Sequence, residues 1–374
     1  MSRGTVPRSY LKSDERPDTG RVSGSARVGG GGGGGRGPGN GRGVAYKGKR
    51  RPRWGRIALV VVIVLALLTG AGALGVWAYA NSLDNNLKRT DAFAGLTGGR
   101  PATTVDGALN ILMLGSDSRD PKTNSGWRPD TIMMLHIDAD HKHAYSISIP
   151  RDTYVYIPAM KGADNGDTHD KINAAFAWGG APLMVKTVEG FTGVRIDHVA
   201  IMNFAGFQSV TDALGGVDMY VDQTITSIHP PYRKFTQGMH HFTGAEALDY
   251  CRQRYQFADG DFTREKHQQA FLKALMSKAA SSGTLSDPVK LNNFLQAVTK
   301  VIIVDKDFQL VDMALQFRNL RAKDVTFLTS PHDGTPTING ESVVQSDKEK
   351  ASSLYDAVNN DKIADWIKQN PGTN

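Results

Sequence analysis

Residues 57 to 80 read IALVVVIVLALLTGAGALGVWAYA, 24 consecutive residues without a charge. Such a run has no polar face to turn toward water, which excludes an ordinary amphipathic surface element. As a helix rising 1.5 Å per residue it is long enough to cross a hydrocarbon core of about 30 Å, so the direct reading is one transmembrane helix. Lys47, Lys49, Arg50, Arg51, Arg53 and Arg56 stand immediately before it. By the positive-inside bias they hold the N-terminus in the cytoplasm and send the remainder across the membrane. The rival reading is a cleaved signal peptide, because Ala78-Tyr79-Ala80 resembles a small-residue cleavage site. The long leader and the long apolar stretch both exceed the usual signal pattern. On either reading the body is exported, and the expected localisation is a single-pass cell-membrane protein with its folded part extracellular.

Charge divides along the same line. The 374 residues carry a net charge of +7, which by itself invites a nucleic-acid reading. Residues 1–56, however, hold 14 Lys and Arg against 3 Asp and Glu, while residues 81–374 hold 30 against 34, a balance of −4. A basic tail on a slightly acidic body disfavours a nucleic-acid-binding domain, and no nucleic-acid partner is expected. The tail also contains 16 glycines, seven of them consecutive from Gly29 to Gly35, and few large apolar residues. It cannot offset its ordering entropy by burial and is expected to be a disordered cytoplasmic segment. Cys251 is the one cysteine, which excludes an internal disulfide and a cysteine-based zinc site.

After a linker over 81–107, apolar runs alternate with amphipathic ones. Strands are predicted over 110–114, 131–137, 144–149, 199–202, 301–304 and 325–328, and helices over 171–178, 182–191, 204–214, 264–278, 288–298 and 310–320. This mixed order predicts one α/β domain over 108–330, a three-layer α/β/α sandwich with a mixed central sheet. Residues 331–374 form a C-terminal extension packing on that domain, with a helix near 347–358 and no interpretable motif.

Two constellations can carry chemistry. The polar turn after Ile137 makes 131–137 and 144–149 an antiparallel hairpin, which sets Asp130 beside Arg151. If 110–114 runs parallel to the second of these strands, its following loop brings Asp117 and Arg119 to the same edge, where open α/β sheets usually bind ligands. Arginine forks suit phosphate oxygens, and paired aspartates suit a hard cation such as Mg²⁺. Spacing alone is equally compatible with ordinary loop residues and solvated arginines. The second constellation is Arg252 and Arg254, pointing the same way if extended, followed by Arg264 and Gln268 one helical turn apart. A solvated charged stretch between helices is the plain alternative. The chain has no P-loop, no G-x-S-x-G elbow and no H-E-x-x-H motif.

The stretches LMLGSDSR (112–119), RPDT (128–131), SIPRDTYVYIP (148–158), KINAAFAWGG (171–180), DALGGVD (212–218), ALDYCRQR (247–254) and DFTREKHQQ (261–269) resemble the successive signatures of the LytR-CpsA-Psr family. The Gly-rich basic leader and the H-Q-Q variant point to an actinobacterial member. The resemblance implies an α/β/α sandwich with a hydrophobic tunnel for a polyprenyl chain. It also implies an extracellular phosphotransferase, which moves a glycopolymer from a polyprenyl-pyrophosphate carrier to a peptidoglycan hydroxyl and releases polyprenyl phosphate. On this resemblance Arg119, Arg151, Lys171, Arg252, Arg254, Arg264 and Gln268 bind pyrophosphate. Asp117 and Asp130 hold Mg²⁺ or Mn²⁺, and Asp117, Arg119, Arg151, Arg252 and Arg254 form the catalytic set. Asp117 serves equally as metal ligand or as acceptor of the attacking hydroxyl's proton.

Two positions depart from the family pattern. Thr263 and His267 stand where many members have glycine and arginine, and Cys251 stands where a small apolar side chain is common; a packed cysteine is the plainer reading. Phe176, Trp178, Phe191, Phe204 and Phe207 are candidates for the tunnel wall, although aromatic residues at helical spacing more often form plain core. The His141/His143 and His240-His241 pairs lack a zinc ligand set and read as surface turns. Two other functions compete with transfer: hydrolysis of the lipid pyrophosphate with water as acceptor, and a non-catalytic protein of the cell envelope that merely holds a polyanion.

Overall fold

The computed structural model describes residues 75–76, 78–96, 98–116, 127–257, 260–285, 287–317 and 319–372, all within the unit 63–374. The tail over 1–56, residues 57–74 of the apolar run, and Asp117 and Arg119 lie outside the described residues. Among the described residues no helix is long and apolar enough to cross a membrane.

The elements in chain order begin with a helix over 78–85 (α1), β1 (Lys88–Thr90), β2 (Leu109–Ser116), β3 (Thr131–Ile137), β4 (Ala144–Ser148), β5 (Tyr154–Ile157) and β6 (Thr168–Lys171). Next come α2 (Ala174–Thr192), β7 (His198–Asn203), α3 (Phe204–Ala213), β8 (Val217–Val221), β9 (Ile225–Thr226), β10 (Lys234–Phe235), β11 (Gly238–Phe242) and α4 (Gly244–Cys251). The last part holds α5 (Gly260–Ala279), α6 (Ser282–Leu285), α7 (Pro288–Val301), β12 (Ile302–Asp305), α8 (Leu310–Gln316), β13 (Val325–Thr329), β14 (Thr337–Ile338), β15 (Glu341–Ser342), α9 (Lys348–Asn359) and α10 (Ile363–Gln369).

Seven strands form one mixed sheet in the order β1-β12-β7-β2-β3-β4-β13. β3 and β4 are the expected antiparallel hairpin, and its turn is fixed by the Asp138 carboxylate, which accepts from the amides of Lys142 and His143 at 2.9 and 3.1 Å. β2 is antiparallel to β3 and so runs in the direction of β4, as the site argument requires.

The period of two along each strand separates two faces. Leu112, Leu114, Ile132, Met134, Ile147, Val199 and Ile201 face α2 and α9 in one sealed core, to which Leu354, Tyr355 and Val358 of α9 and Trp366 of α10 also belong. The alternate residues Ile111, Ile137 and Val325 face Met276 of α5 and Met313 of α8. This second face is looser: Met113, Leu135, Ala200 and Met202 are only half-buried. α7 repeats the pattern, with Leu291, Phe294, Leu295 and Val298 half-buried and Thr299 its one buried residue among those described.

The expected helix over 171–178 starts later. Residues 168–171 pair with β5 as an antiparallel ribbon, Tyr154 opposite Lys171, and the helix begins at Ala174. Its apolar periodicity begins at Ile172, which hid a short polar strand. The two helices predicted on either side of Gly179-Gly180 are one element broken there, since Gly180 takes φ 63° and ψ −156°, a conformation open essentially to glycine alone.

Candidate functional site

The hairpin register decides where the charged residues meet. Thr131 is paired with Gly115 at the end of β2, and Met133 with Ser148 at the end of β4. The Asp130 amide donates to Gly115 O and the Ile149 amide to Ile132 O, both at 2.8 Å, so the ladder continues until Pro150 turns the chain out. Asp130 and Arg151 therefore emerge together, and Arg151 Nη1 donates to Asp130 Oδ1. Arg151 Nε also lies 3.6 Å from Asp152 Oδ2. The predicted juxtaposition is present.

α5 adds two more of the expected residues from the neighbouring layer. Arg264 Nη1 is 4.0 Å from Asp130 Oδ1, and Gln268 Oε1 accepts from Thr131 Oγ1 at 2.8 Å. Both side chains are buried. A guanidinium is buried only where charge partners compensate its lost hydration. Asp130 thus accepts from Arg151 of the sheet and lies 4.0 Å from Arg264 of the helix, which brings both guanidiniums to one point at the strand ends. Trp127, three residues before Asp130, is buried against Phe176 at 4.3 Å between ring centroids, and its indole Nε1 has no hydrogen-bond partner among the described residues. With Phe176 and Trp178 it lines a cavity of about 790 Å³ beside Ile201 and Asn203 at the end of β7.

Arg252 and Arg254 are half-buried and alternate with Gln253, which is fully buried. The segment is not extended throughout: Arg252 closes α4 in helical conformation, φ −92° and ψ −10°. Gln253 Nε2 donates to Ser227 Oγ at 2.9 Å and to Asp249 Oδ1 at 2.9 Å, which anchors the segment between the two arginines. Arg254 stacks its guanidinium over Tyr255, 4.4 Å from the ring centroid. α4, which these arginines follow, meets α5 through Tyr250 and Cys251, both against His267.

His267 is buried, stacked on Tyr250 at 4.4 Å and edge-on to Phe257 at 5.0 Å. Its Nε2 is 3.2 Å from the Tyr250 hydroxyl and 3.4 Å from Asp222 Oδ1, and its Nδ1 has no partner among the described residues. Burial lowers the imidazole pKa, and the Asp222 carboxylate offsets this only in part. In this arrangement burial disfavours the charged imidazole, and His267 packs and hydrogen-bonds between α4 and α5. Burial and the Asp222 contact push the Tyr250 phenol up, whereas Asp222 itself, which burial alone would raise, is brought below its ordinary value by Tyr250 and His267. Cys251 is buried with its thiol pKa raised by burial, and its Sγ lies 3.6 Å from His267 O, in keeping with a packed cysteine.

Lys171 stands on a strand and not on the helix expected over 171–178. It ends β6, and its ammonium meets the exposed Glu341 Oε2 at 3.0 Å. Of the tunnel candidates, Phe191 is half-buried, packs edge-on against Tyr355 at the margin of the first core and lines an open cavity there, and Phe207 stacks on Phe271 at 3.6 Å in a separate cluster. The side chain of Phe204 is outside the described set. His241 bonds Asp218 at 2.7 Å and His143 lies in the hairpin turn with Asp138, so neither histidine pair is part of the site. Neither Thr131 nor Asp222 is picked out by the sequence. Tyr250 lies within the quoted ALDYCRQR stretch, but nothing local announces its partner 28 residues away.

Of the two carboxylates expected to hold a divalent cation, Asp130 is described. Both of its described cationic neighbours meet Oδ1, leaving Oδ2 outside those contacts. One or two carboxylate oxygens completed by water and phosphate oxygens are an ordinary Mg²⁺ donor set. Asp130 fits that requirement.

Against known proteins, the LytR_cpsA_psr family model matches residues 78–360. The cell wall biosynthesis protein LcpA of Corynebacterium glutamicum is 31% identical over 341 residues, 80% of this chain and 64% of that protein, so the chain spans just under two thirds of this relative's length. The polyisoprenyl-teichoic acid–peptidoglycan teichoic acid transferase TagU of Bacillus cereus is 32% identical over 234 residues, 62% of this chain and 71% of the relative. The crystal structure of Bacillus subtilis TagV superposes with a TM-score of 0.58 at 25% identity, covering 70% of this chain and 98% of that one. The chain belongs to the LytR-CpsA-Psr family.

Proposed function

We propose that this protein is a membrane-anchored extracellular transferase that moves a glycopolymer from a polyprenyl-pyrophosphate carrier to a hydroxyl of peptidoglycan. The observation that carries the reading is the pair of guanidiniums, Arg151 and Arg264, held on one carboxylate at the strand ends. Phosphoryl transfer asks a protein mainly for positioning and charge stabilisation, which such a cluster supplies. The name borne by the Bacillus cereus relative, a transferase from a polyisoprenyl carrier to peptidoglycan, supports the same chemistry.

In the proposed reaction the acceptor oxygen forms a bond to the phosphorus that carries the sugar. The bond from that phosphorus to the bridging pyrophosphate oxygen breaks, and polyprenyl phosphate leaves with the electron pair. The hydroxyl proton passes to a carboxylate, for which Asp117 is the candidate. Arg151, Arg252, Arg254 and Arg264 orient the pyrophosphate and balance charge on the leaving phosphate, with Arg119 as a further donor from the loop after β2. Asp117 and Asp130 are the residues that would hold Mg²⁺ or Mn²⁺, whose chemistry when bound is to neutralise phosphate oxygens. The half-buried face of Met113, Leu135, Ala200 and Met202, on the side of the sheet covered by α5 and α8, supports an apolar path for the prenyl chain, and the uncharged run over 57–80 supports the membrane anchor.

Purified full-length protein in lipid vesicles, given lipid-linked polymer labelled in the sugar and isolated peptidoglycan, tests the reading. Label covalently attached to peptidoglycan, and its loss in Arg151→Ala, is the expected result. Release of free polymer phosphate alone would identify a hydrolase, and no turnover with polymer still bound would identify a binding protein.

A further inference from the structure

The β5–β6 ribbon turns one face outward. Val155 and Ile157 go to the core, which leaves Tyr154 and Tyr156 on the opposite face. His169 stands directly across the ladder from Tyr156, with ring centroids 5.5 Å apart, and diagonally from Tyr154, at 5.7 Å. The ladder ends at the Tyr154–Lys171 pair, three residues beyond Arg151, and the Ile172 and Asn173 amides donate to Thr153 O and Arg151 O. The aromatic row thus starts beside the arginine cluster and leads away from it.

This row is one wall of an open groove of about 1030 Å³ whose opposite wall is α9, with Ser352 and Tyr355. Ser346, also on the groove, is 7% exposed, and its Oγ has no hydrogen-bond partner among the described residues. A buried hydroxyl without a partner calls for one. Tyr156 leaves 48% of its surface exposed, with its hydroxyl donating to Asp167 Oδ1 at 2.5 Å, so its ring face is open to the groove. Within the groove Arg100 and Glu189 neutralise each other at 2.6 Å, and its other charged lining residues are Lys186, Lys348 and Asp356.

Flat aromatic faces beside hydroxyl groups are the chemistry that receives pyranose rings, whose C–H faces stack while their hydroxyls take hydrogen bonds. We propose that this groove binds the polysaccharide chain of the acceptor and presents a sugar hydroxyl at the Arg151 cluster. The identity of that chain rests on the transferase reading above; the groove and its aromatic row do not.

The test titrates the full-length protein in vesicles with soluble, uncrosslinked peptidoglycan strands, without donor. Tyr156→Ala/His169→Ala is expected to raise the dissociation constant by at least about tenfold, while affinity for polyprenyl pyrophosphate stays unchanged and Tyr156→Trp restores strand binding. Ser352→Trp, an exposed position on the facing helix, is expected to block the groove without touching the ribbon. Wild-type affinity in both the double variant and Ser352→Trp, or no strand binding by the wild type, overturns the groove. Strand binding lost in the variants of a protein that transfers nothing leaves the groove standing and removes the transferase reading. Transfer with an unaltered acceptor KM in the variants does the reverse.

Discussion

The Arg151 guanidinium donates to the Asp130 carboxylate across the end of the sheet, although the two residues are 21 positions apart in the chain. The β3–β4 hairpin enforces the pairing, and Arg264 joins it from α5. Asp130→Asn keeps the shape and removes the charge that fixes both guanidiniums. A misplaced charge-stabilising group typically costs about 10²-fold in rate, and that is the expected fall in attachment of labelled polymer to peptidoglycan. Arg151→Lys is expected to fail as well, since a lysine cannot reproduce the guanidinium fork. Rates within about threefold of wild type in Asp130→Asn would count against this role.

His267 makes stability depend on pH. Its folded pKa lies below the unfolded value of about 6.5, so around and below that pH the unfolded chain binds the extra proton. Stability then rises with pH, and it is lost as pH falls through the unfolded pKa toward the folded one. His136, buried and lowered by burial against the opposing pull of Asp361, acts in the same direction. Urea unfolding at pH 7 and pH 5 is expected to show a less stable protein at pH 5, with a smaller difference in His267→Gln. An equal difference in the variant would place the titrating group elsewhere.

The Arg100–Glu189 pair joins the segment before β2 to α2. Glu189 is 4% exposed and accepts from Arg100 Nη2 at 2.6 Å and from the Ile196 amide at 2.9 Å. Arg100→Ala leaves a buried carboxylate with its cation gone, which typically costs about 3–5 kcal/mol. Denaturant unfolding of Arg100→Ala measures this. A loss below about 1 kcal/mol would mean that water reaches the carboxylate and behaves as for a surface pair.

What was legible in the sequence was local or governed by period. The apolar runs 131–137 and 144–149, with a polar turn between them, were enough to set Asp130 beside Arg151. The i, i+4 spacing of Arg264 and Gln268 was enough to put both on one face of α5, and both are buried there. The helix expected from 171 begins too early because a four-residue polar strand has no apolar signature, while the run from Ile172 onward has a helical one. The Asp222–Tyr250–His267 set joins three separate elements, and the Arg100–Glu189 pair spans 89 positions, so no spacing rule reaches either. The looseness of one sheet face was equally invisible: Met113 and Leu112 read alike in sequence, yet one is half-buried and the other fully buried.

That looseness gives the last prediction. Ala200 sits at the centre of the half-buried face, paired with Met113 on β2 and Val304 on β12. In a sealed core Ala200→Leu would overpack and typically cost about 1–3 kcal/mol. Against a face left partly open for a prenyl chain the extra methyl groups occupy unfilled space, so unfolding free energy is expected to stay level or rise. The same volume obstructs a long lipid. Affinity for a donor with a full-length prenyl chain is expected to fall by about tenfold, a difference of about 1.4 kcal/mol, while a donor with a short prenyl chain is turned over as before. Equal loss with both donors would trace the effect to the arginine cluster, and destabilisation with no change in either would show that this face is ordinary core.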